Sequence, residues 1–86
     1  MIYSAEYSEH ILKLFDKMVR KNKSQLLAIN GKISEILGNP HHFKPLKGDM
    51  KGSRRVHFGH FVMTFEIDEE RKIVRFLDYD HHDKIY

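Results

Sequence analysis

This sequence predicts an α+β fold in which two N-terminal antiparallel helices pack on one face of a mostly antiparallel four-stranded sheet. In the first half of the chain the apolar residues recur at helical spacing, whereas after residue 52 they alternate with a period of two. Alternation of this kind is typical of strands with one buried face. The 86 residues suffice for one hydrophobic core but not for two. We therefore expect a single domain over residues 1–86 with the element order β-α-α-β-β-β.

Residues 2–7 and 9–21 carry the pattern of a short strand followed by a helix. Ser8 lies between them and is a residue type that caps helix N-termini. The apolar stripe of this first helix consists of Ile11, Leu14, Phe15 and Met18.

A second helix is predicted over residues 25–37, with Ser24 as its N-cap and Gly38 as a left-handed C-terminal cap. Pro40 then prevents the helix from continuing. The connection between the two helices is short, so they are expected to be adjacent and antiparallel.

After a loop over residues 39–52, three strands are predicted over residues 53–58, 61–67 and 72–79. A hairpin turn at Gly59 separates the first two, and a polar turn over residues 68–71 precedes the third. The side chains expected to face the helices are Val56, Phe58, Phe61, Met63 and Phe65. Arg55 and His57 would then lie on the opposite, open face. Both faces of the third strand are apolar, so its orientation stays open.

Composition excludes several classes of protein. There is no cysteine, hence no disulfide framework and no cysteine-based zinc site. No apolar run approaches the length of a membrane span, and the N-terminus lacks a signal-peptide pattern, so we expect a cytoplasmic protein without membrane contacts. Histidine pairs at 41–42, 57/60 and 81–82 supply metal-ligand types, but their spacing matches no known metal motif. We expect neither a metal nor a cofactor.

The positive charge is concentrated in the middle of the chain. The net charge is +3, and residues 39–61 alone carry five basic side chains against one acidic side chain. Such a surplus is expected of an anion-binding surface, and it is equally compatible with a solvated basic loop. The side chains that we expect to bind nucleic acid are Lys44, Lys47, Lys51, Arg54 and His81.

Two groups of residues are suited to chemistry on a phosphodiester. Arg55 and His57 share a strand face about 7 Å apart, where a guanidinium can clamp phosphate oxygens and an imidazole can accept a proton from an RNA 2′-hydroxyl. In the second group, His81 or His82 can protonate a leaving 5′-oxygen, and Tyr86 can stack on a base. The pattern leaves open which of the two histidines acts. The alternatives are an ordinary solvent-facing strand and a frayed polar terminus.

The order of several short motifs over the whole chain resembles the RelE/ParE superfamily of toxins from toxin–antitoxin systems. The motifs are Leu46-Lys47-Gly48, the segment of residues 52–68, and the closing segment of residues 81–86. Many members have an arginine at the hairpin where this chain has Val62, and this departure is similar to the YafQ-like branch. His60 stands where that branch has an aspartate.

The resemblance implies a RelE-like fold and a metal-independent, ribosome-dependent mRNA endonuclease, or mRNA interferase, that cuts the codon in the ribosomal A site. The implied partners are a cognate antitoxin protein, the ribosome with its rRNA, and mRNA. The implied catalytic residues are Arg55, His57, His60, His82 and Tyr86. Two alternatives remain open: a non-catalytic ParE-like toxin that binds DNA gyrase, and an inactive homologue that binds only antitoxin.

Overall fold

A computed structural model describes residues 2–43 and 53–81 of the chain, apart from the side chains of Phe58 and His81. The element order β-α-α-β-β-β is confirmed, with a short 3-10 turn added after the second helix. The elements are β1 (Ser4–Tyr7), α1 (Glu9–Lys21), α2 (Lys23–Gly38), the 3-10 turn (Pro40–His42), β2 (Arg54–Phe58), β3 (Phe61–Asp68) and β4 (Ile73–His81).

The start of α1 is fixed by Ser8, as predicted. The Ser8 hydroxyl accepts a hydrogen bond from the backbone N–H of Ile11 at 3.2 Å, which satisfies one of the unpaired donors of the first turn. The same hydroxyl donates to the carbonyl of Leu77 at 2.8 Å. One side chain therefore both caps the helix and attaches it to β4.

Both predicted caps of α2 are wrong. The helix begins at Lys23 and is capped by Asn22, whose side-chain oxygen accepts from the N–H of Gln25 at 3.3 Å. At the other end, Gly38 is still helical, and its φ is not positive. Asn39 ends the helix with non-helical backbone angles because a residue before proline is disfavoured in the helical region, and its N–H donates to carbonyls of the last turn.

The sheet has the strand order β1-β4-β3-β2, so the two edge strands are β1 and β2. β1 runs parallel to β4, while the β2–β3 and β3–β4 pairs are antiparallel. The helical hairpin thus carries the chain from one edge of the sheet to the other. The predicted mostly antiparallel sheet, covered by two helices, is confirmed.

A bulge at Leu77 determines which side chains of β4 reach the core. Thr64 pairs with Asp78 and Phe65 pairs with Phe76, so Leu77 has no partner in the register. The extra residue places both Phe76 and Tyr79 among the core residues although they are three positions apart. Alternation alone could not show this irregularity, because both faces of the strand are apolar in the sequence.

One hydrophobic core lies between the sheet and the helices. Its buried members are Ile11, Ile29, Ile33, Ile36, Val56, Met63, Phe65, Val74, Phe76 and Tyr79. The predicted inward orientation of Val56, Met63 and Phe65 is confirmed, and Phe61 packs against the same cluster while partly exposed. The prediction for the Phe58 side chain lies outside the described part of the structure.

The β2–β3 hairpin closes through two residues, as predicted. Phe58 and Phe61 are paired, and Gly59 between them has a φ of +59°, the left-handed region that glycine adopts without steric cost. His60 completes the turn with a φ that is not positive, as in a type II′ turn. The register of the two strands is therefore set by the turn chemistry.

Within the described residues, neither helix combines the length and the apolar character that crossing a bilayer requires.

Candidate functional site

β2 presents Arg55 and His57 on the face of the sheet that points away from the helices. Val56 between them is 6% exposed and belongs to the core, so its two neighbours must point outward. Arg55 is half-buried, whereas His57 is exposed. The pairing predicted from alternation is thus present, with the spacing of about 7 Å that two residues along a strand impose.

On β3, the residues next to these two basic side chains are uncharged. Arg55 is paired with Thr64 and His57 with Val62. Both neighbours are almost fully buried, Val62 at 0% and Thr64 at 2% exposure, although they lie on the face opposite the helices. Val62 and Thr64 are therefore covered by their neighbours and add no charge between the strands.

β4 places a carboxylate next to Val62, on the side away from β2. Asp80 pairs with Val62, so the three strands carry an acidic, an apolar and a basic residue in one row that ends at His57. Two strand spacings separate the ends of this row, about 10 Å. Asp80 was not predicted as a site residue, although its place in an alternating strand was a usable signal.

Arg55 and His57 also line a cavity of about 320 Å³ at the free edge of β2. The other lining residues are His42, Phe43 and Val56. Sequence reasoning considered His42 only as a metal-ligand type, because nothing in the local pattern showed that the 3-10 turn would lie against β2. The cavity is lined by two histidines and one arginine, residue types that suit an anionic ligand.

The 3-10 turn is attached to the core from one side. The guanidinium of Arg54 donates to the carbonyl of Phe43 at 2.7 Å. The ring of Phe43 makes edge-to-face contacts with Phe65, at a centroid distance of 6.0 Å, and with His42 at 5.3 Å. Arg54 alternates with Arg55, so it lies on the other face of the strand. Its role as a nucleic-acid ligand stays a prediction, and its observed contact is to the backbone.

The turn is held from its other side by a cluster of polar side chains around Glu69. Tyr3 donates its hydroxyl proton to Glu69 at 2.8 Å, and the Lys72 ammonium approaches the same carboxylate at 2.7 Å. His41 donates to it through Nε2. The hydrogen bonds from Lys72, His41 and Tyr3, in that order, lower the pKa of Glu69 to about 2. These four residues, Tyr3, His41, Glu69 and Lys72, are called the Glu69 cluster below.

Glu69 is expected to make folding stability depend on pH in acid. Its pKa is lower in the folded chain than its ordinary value of 4.5, so its stabilising effect is complete above pH 4.5 and is lost as the pH falls toward about 2. The stability advantage of the wild type over Glu69→Gln should shrink through this window, as measured by denaturant midpoints at several pH values. Glu70→Gln, a neighbouring control, should behave as the wild type does. A Glu69 carboxyl that titrates near 4.5 in an NMR experiment would contradict the assignment.

The other predicted site residues are distributed as follows. His60 is exposed in the hairpin turn, next to the end of β2. His81 is the last residue of β4, and its backbone pairs with Phe61, so β4 ends beside that turn. Five predicted residues lie outside the described part of the chain: Lys44, Lys47, Lys51, His82 and Tyr86.

The predicted metal-ligand types do not form a metal site in the described part of the chain. Among the described residues, no three histidine, aspartate or glutamate side chains come together in a way that would hold a metal ion.

The arrangement of helices, sheet and open-face residues was compared with known proteins. The family model described as "ParE toxin of type II toxin-antitoxin system, parDE" matches residues 1–86, which is the whole chain. The chain belongs to this toxin family. The predicted resemblance to the RelE/ParE superfamily is thereby confirmed. A putative toxin, RelE4, of Methanocaldococcus jannaschii is 41% identical to this ParE-family chain over 86 residues, covering 99% of the chain and 92% of the relative.

Solved structures of similar shape include other toxins of this type. The YoeB/ParE toxin from Agrobacterium tumefaciens has a TM-score of 0.81 at 15% identity and covers 92% of the ParE-family chain and 98% of its own. A chain of the RelBE2 toxin–antitoxin complex from Mycobacterium tuberculosis has a TM-score of 0.74 at 20% identity, with coverages of 94% and 99%. At these identities the likeness establishes the RelE-like fold.

Proposed function

We propose that this ParE-family toxin is a ribosome-dependent mRNA endonuclease. The observation that carries the proposal is the pairing of Arg55 and His57 on the open face of the sheet, where both line one cavity with His42. A guanidinium and an imidazole at this spacing match a single phosphodiester and the hydroxyl next to it.

In this proposal the RNA supplies its own nucleophile. The 2′-oxygen attacks the adjacent phosphorus while His57 accepts the hydroxyl proton, so the new O–P bond forms as the O–H bond breaks. Arg55 donates two hydrogen bonds to the non-bridging oxygens and stabilises the charge that develops on them. The chemistry needs no metal ion, because neither the nucleophile nor the stabilising charge has to come from one.

The second half of the reaction is assigned to the end of the chain. The bond from phosphorus to the 5′-oxygen breaks as that oxygen takes a proton from His82, which leaves a 2′,3′-cyclic phosphate and a free 5′-hydroxyl. Tyr86 is proposed to stack on a base and hold it in place. His81, the residue before His82 in the sequence, ends β4 beside the hairpin turn.

The proposed partners follow from the charge distribution and from the relatives. The basic residues between positions 44 and 55, together with His81, are proposed to contact the phosphates of mRNA and rRNA. The similar toxin from Mycobacterium tuberculosis was solved as a toxin–antitoxin complex. We extend this to a cognate antitoxin for the present chain, and we place both proteins in the cytoplasm, where ribosomes and mRNA are found.

Inhibition of DNA gyrase is the second candidate function. It is favoured by the match of the whole chain to a family model that carries the name of ParE. The resemblance implies that ParE-type toxins that bind gyrase share this fold without using the proposed catalytic residues. The cavity that joins Arg55, His57 and His42 favours the endonuclease, because gyrase binding does not require it.

The test is a translation reaction with purified protein, ribosomes and a defined mRNA, analysed by primer extension. We expect new 5′ ends inside translated codons, and none when ribosomes are omitted. A parallel supercoiling assay measures gyrase inhibition. Uncut mRNA together with inhibited supercoiling would replace the endonuclease with the gyrase inhibitor. Uncut mRNA with unaffected gyrase would leave a homologue that binds only antitoxin.

A further inference from the structure

The Glu69 cluster lies outside the proposed catalytic residues, yet it contacts the turn that forms one wall of the cavity. Tyr3 precedes β1, His41 belongs to the 3-10 turn, and Glu69 and Lys72 follow β3. Three segments that are distant in sequence therefore meet at one carboxylate. Tyr3 is further fixed by its own backbone N–H, which donates to the carbonyl of Leu37 at 3.0 Å.

The chemistry of the contacts determines the protonation pattern of His41. A carboxylate only accepts hydrogen bonds, so the Nε2 atom that contacts Glu69 must carry a proton. The Nδ1 atom lies 3.5 Å from a guanidinium nitrogen of Arg54, which only donates. His41 is therefore held in one orientation between Arg54 and Glu69, with its Nε2–H donating to the carboxylate.

This orientation affects the cavity through the next residue. In a 3-10 turn consecutive side chains diverge by about 120°, so a ring fixed toward Glu69 places its successor on a different side of the turn. That successor is His42, which lines the cavity with Arg55 and His57. The second anchor is the bond from Arg54 to the Phe43 carbonyl at 2.7 Å, on the other side of His42. His42 is thus held between two anchored neighbours.

We propose that Glu69 is a positioning residue that, through His41, holds His42 against the RNA bound in the cavity. This inference rests on the endonuclease activity proposed above, because mRNA cleavage is one of the quantities measured to test it. Glu69 itself touches no substrate. Its carboxylate accepts the hydrogen bond that fixes the His41 ring, and the 3-10 turn transmits that orientation to His42. A misplacement of about 1 Å at a catalytic site costs up to 10²-fold in rate, so loss of the anchor should be visible in cleavage.

The experiment compares Glu69→Ala, Glu69→Gln and the neighbouring control Glu70→Ala. Glu69→Ala is expected to cleave mRNA at least about tenfold more slowly in the ribosome assay. Glu69→Gln should stay within about threefold of the wild type, because its amide oxygen still accepts from His41 and Tyr3. Glu70→Ala should be unchanged. If Glu69→Gln cleaves as slowly as Glu69→Ala, cleavage depends on the negative charge of Glu69 and not on the hydrogen bond that orients His41. The proposal would then be wrong.

Two further measurements distinguish the positioning of His42 from a general loss of protein stability and from the question of whether the protein is an endonuclease. A cycle with His41→Ala should be non-additive, the double variant being no slower than either single variant, because both act through one contact. NMR of the histidine rings in the isolated protein should show the Nε2-protonated tautomer of His41 and a shift of the His42 signals in Glu69→Ala. The NMR result does not depend on cleavage. Unchanged His42 signals would overturn the positioning role, whereas an inactive wild type with shifted signals would overturn only the endonuclease.

Discussion

Replacing Arg55 with alanine is expected to reduce mRNA cleavage by a factor of about 10² or more. Loss of one preorganised donor to a developing oxyanion costs about 10²–10³ in rate, because the charge is then stabilised less in the transition state. Arg55 is half-buried beside Thr64 and lines the cavity, so its guanidinium is in a suitable position for such a donor. The measurement is the rate at which new 5′ ends appear in the primer-extension assay.

Companion variants decide whether the effect reflects chemistry. His82→Ala is expected to lose about as much, since a proton donor to the leaving oxygen is worth about 10²–10⁴-fold. Arg55→Lys should recover only part of the rate, because an ammonium cannot form the two parallel hydrogen bonds of a guanidinium. Arg20→Ala is the matched arginine control. Arg20 is an exposed α1 side chain on the helical side of the sheet, and its loss should leave cleavage unchanged.

Full activity in both Arg55→Ala and His82→Ala would exclude the proposed mechanism. Full activity in Arg55→Ala alone would mean that the assignment of phosphate stabilisation is wrong. Full activity in His82→Ala alone would mean that the assignment of leaving-group protonation is wrong. Each variant must first be shown to have the denaturant midpoint of the wild type, so that a lost activity is not a lost fold.

Phe65→Ala is expected to lower the free energy of unfolding by about 3–5 kcal/mol, the usual cost of removing a buried phenyl ring. Phe65 is fully buried at the centre of the sheet. Its ring lies 6.0 Å from that of Phe43 and 5.9 Å from that of Phe76, measured between centroids. The substitution would leave a cavity between the strands and the helices, measured by equilibrium denaturant unfolding.

The matched control is Phe61→Ala, on the same strand and the same face. Phe61 is partly exposed and stacks on Tyr79 at 5.3 Å, so the free energy of unfolding should fall by about 1–2 kcal/mol, less than for Phe65. A loss below about 1 kcal/mol for Phe65→Ala would mean that the face of β3 is inverted, since a one-residue shift in register moves every side chain to the other side of the sheet.

Local sequence predicted most of the elements and the central part of the candidate site. The period of the apolar residues located both helices and all four strands to within a few residues. It also placed Arg55 and His57 on a common face, because side-chain alternation in a strand is a property of the backbone itself. The Ser8 cap and the two-residue turn at Gly59 were predicted for the same reason, as both depend on neighbouring residues.

The wrong predictions concern the two ends of α2, where more than one residue could have capped the helix. Ser24 and Asn22 are both good capping residues, and only the folded chain shows that Asn22 is used. Gly38 satisfies the usual pattern of a left-handed cap, but Pro40 keeps Asn39 out of the helical region, and the backbone N–H of Asn39 makes the capping contacts.

The sequence by itself determined the fold class, the inward and outward faces of β2 and β3, and the basic character of the middle of the chain. Only the tertiary structure decided the strand order, the bulge at Leu77, and the meeting of Glu69 with His41 that holds His42 at the cavity. The difference is physical. Periodicity and capping arise between residues a few positions apart, whereas β3 comes to lie beside Leu77, and Tyr3 and His41 beside Glu69, only when the whole chain packs around its core.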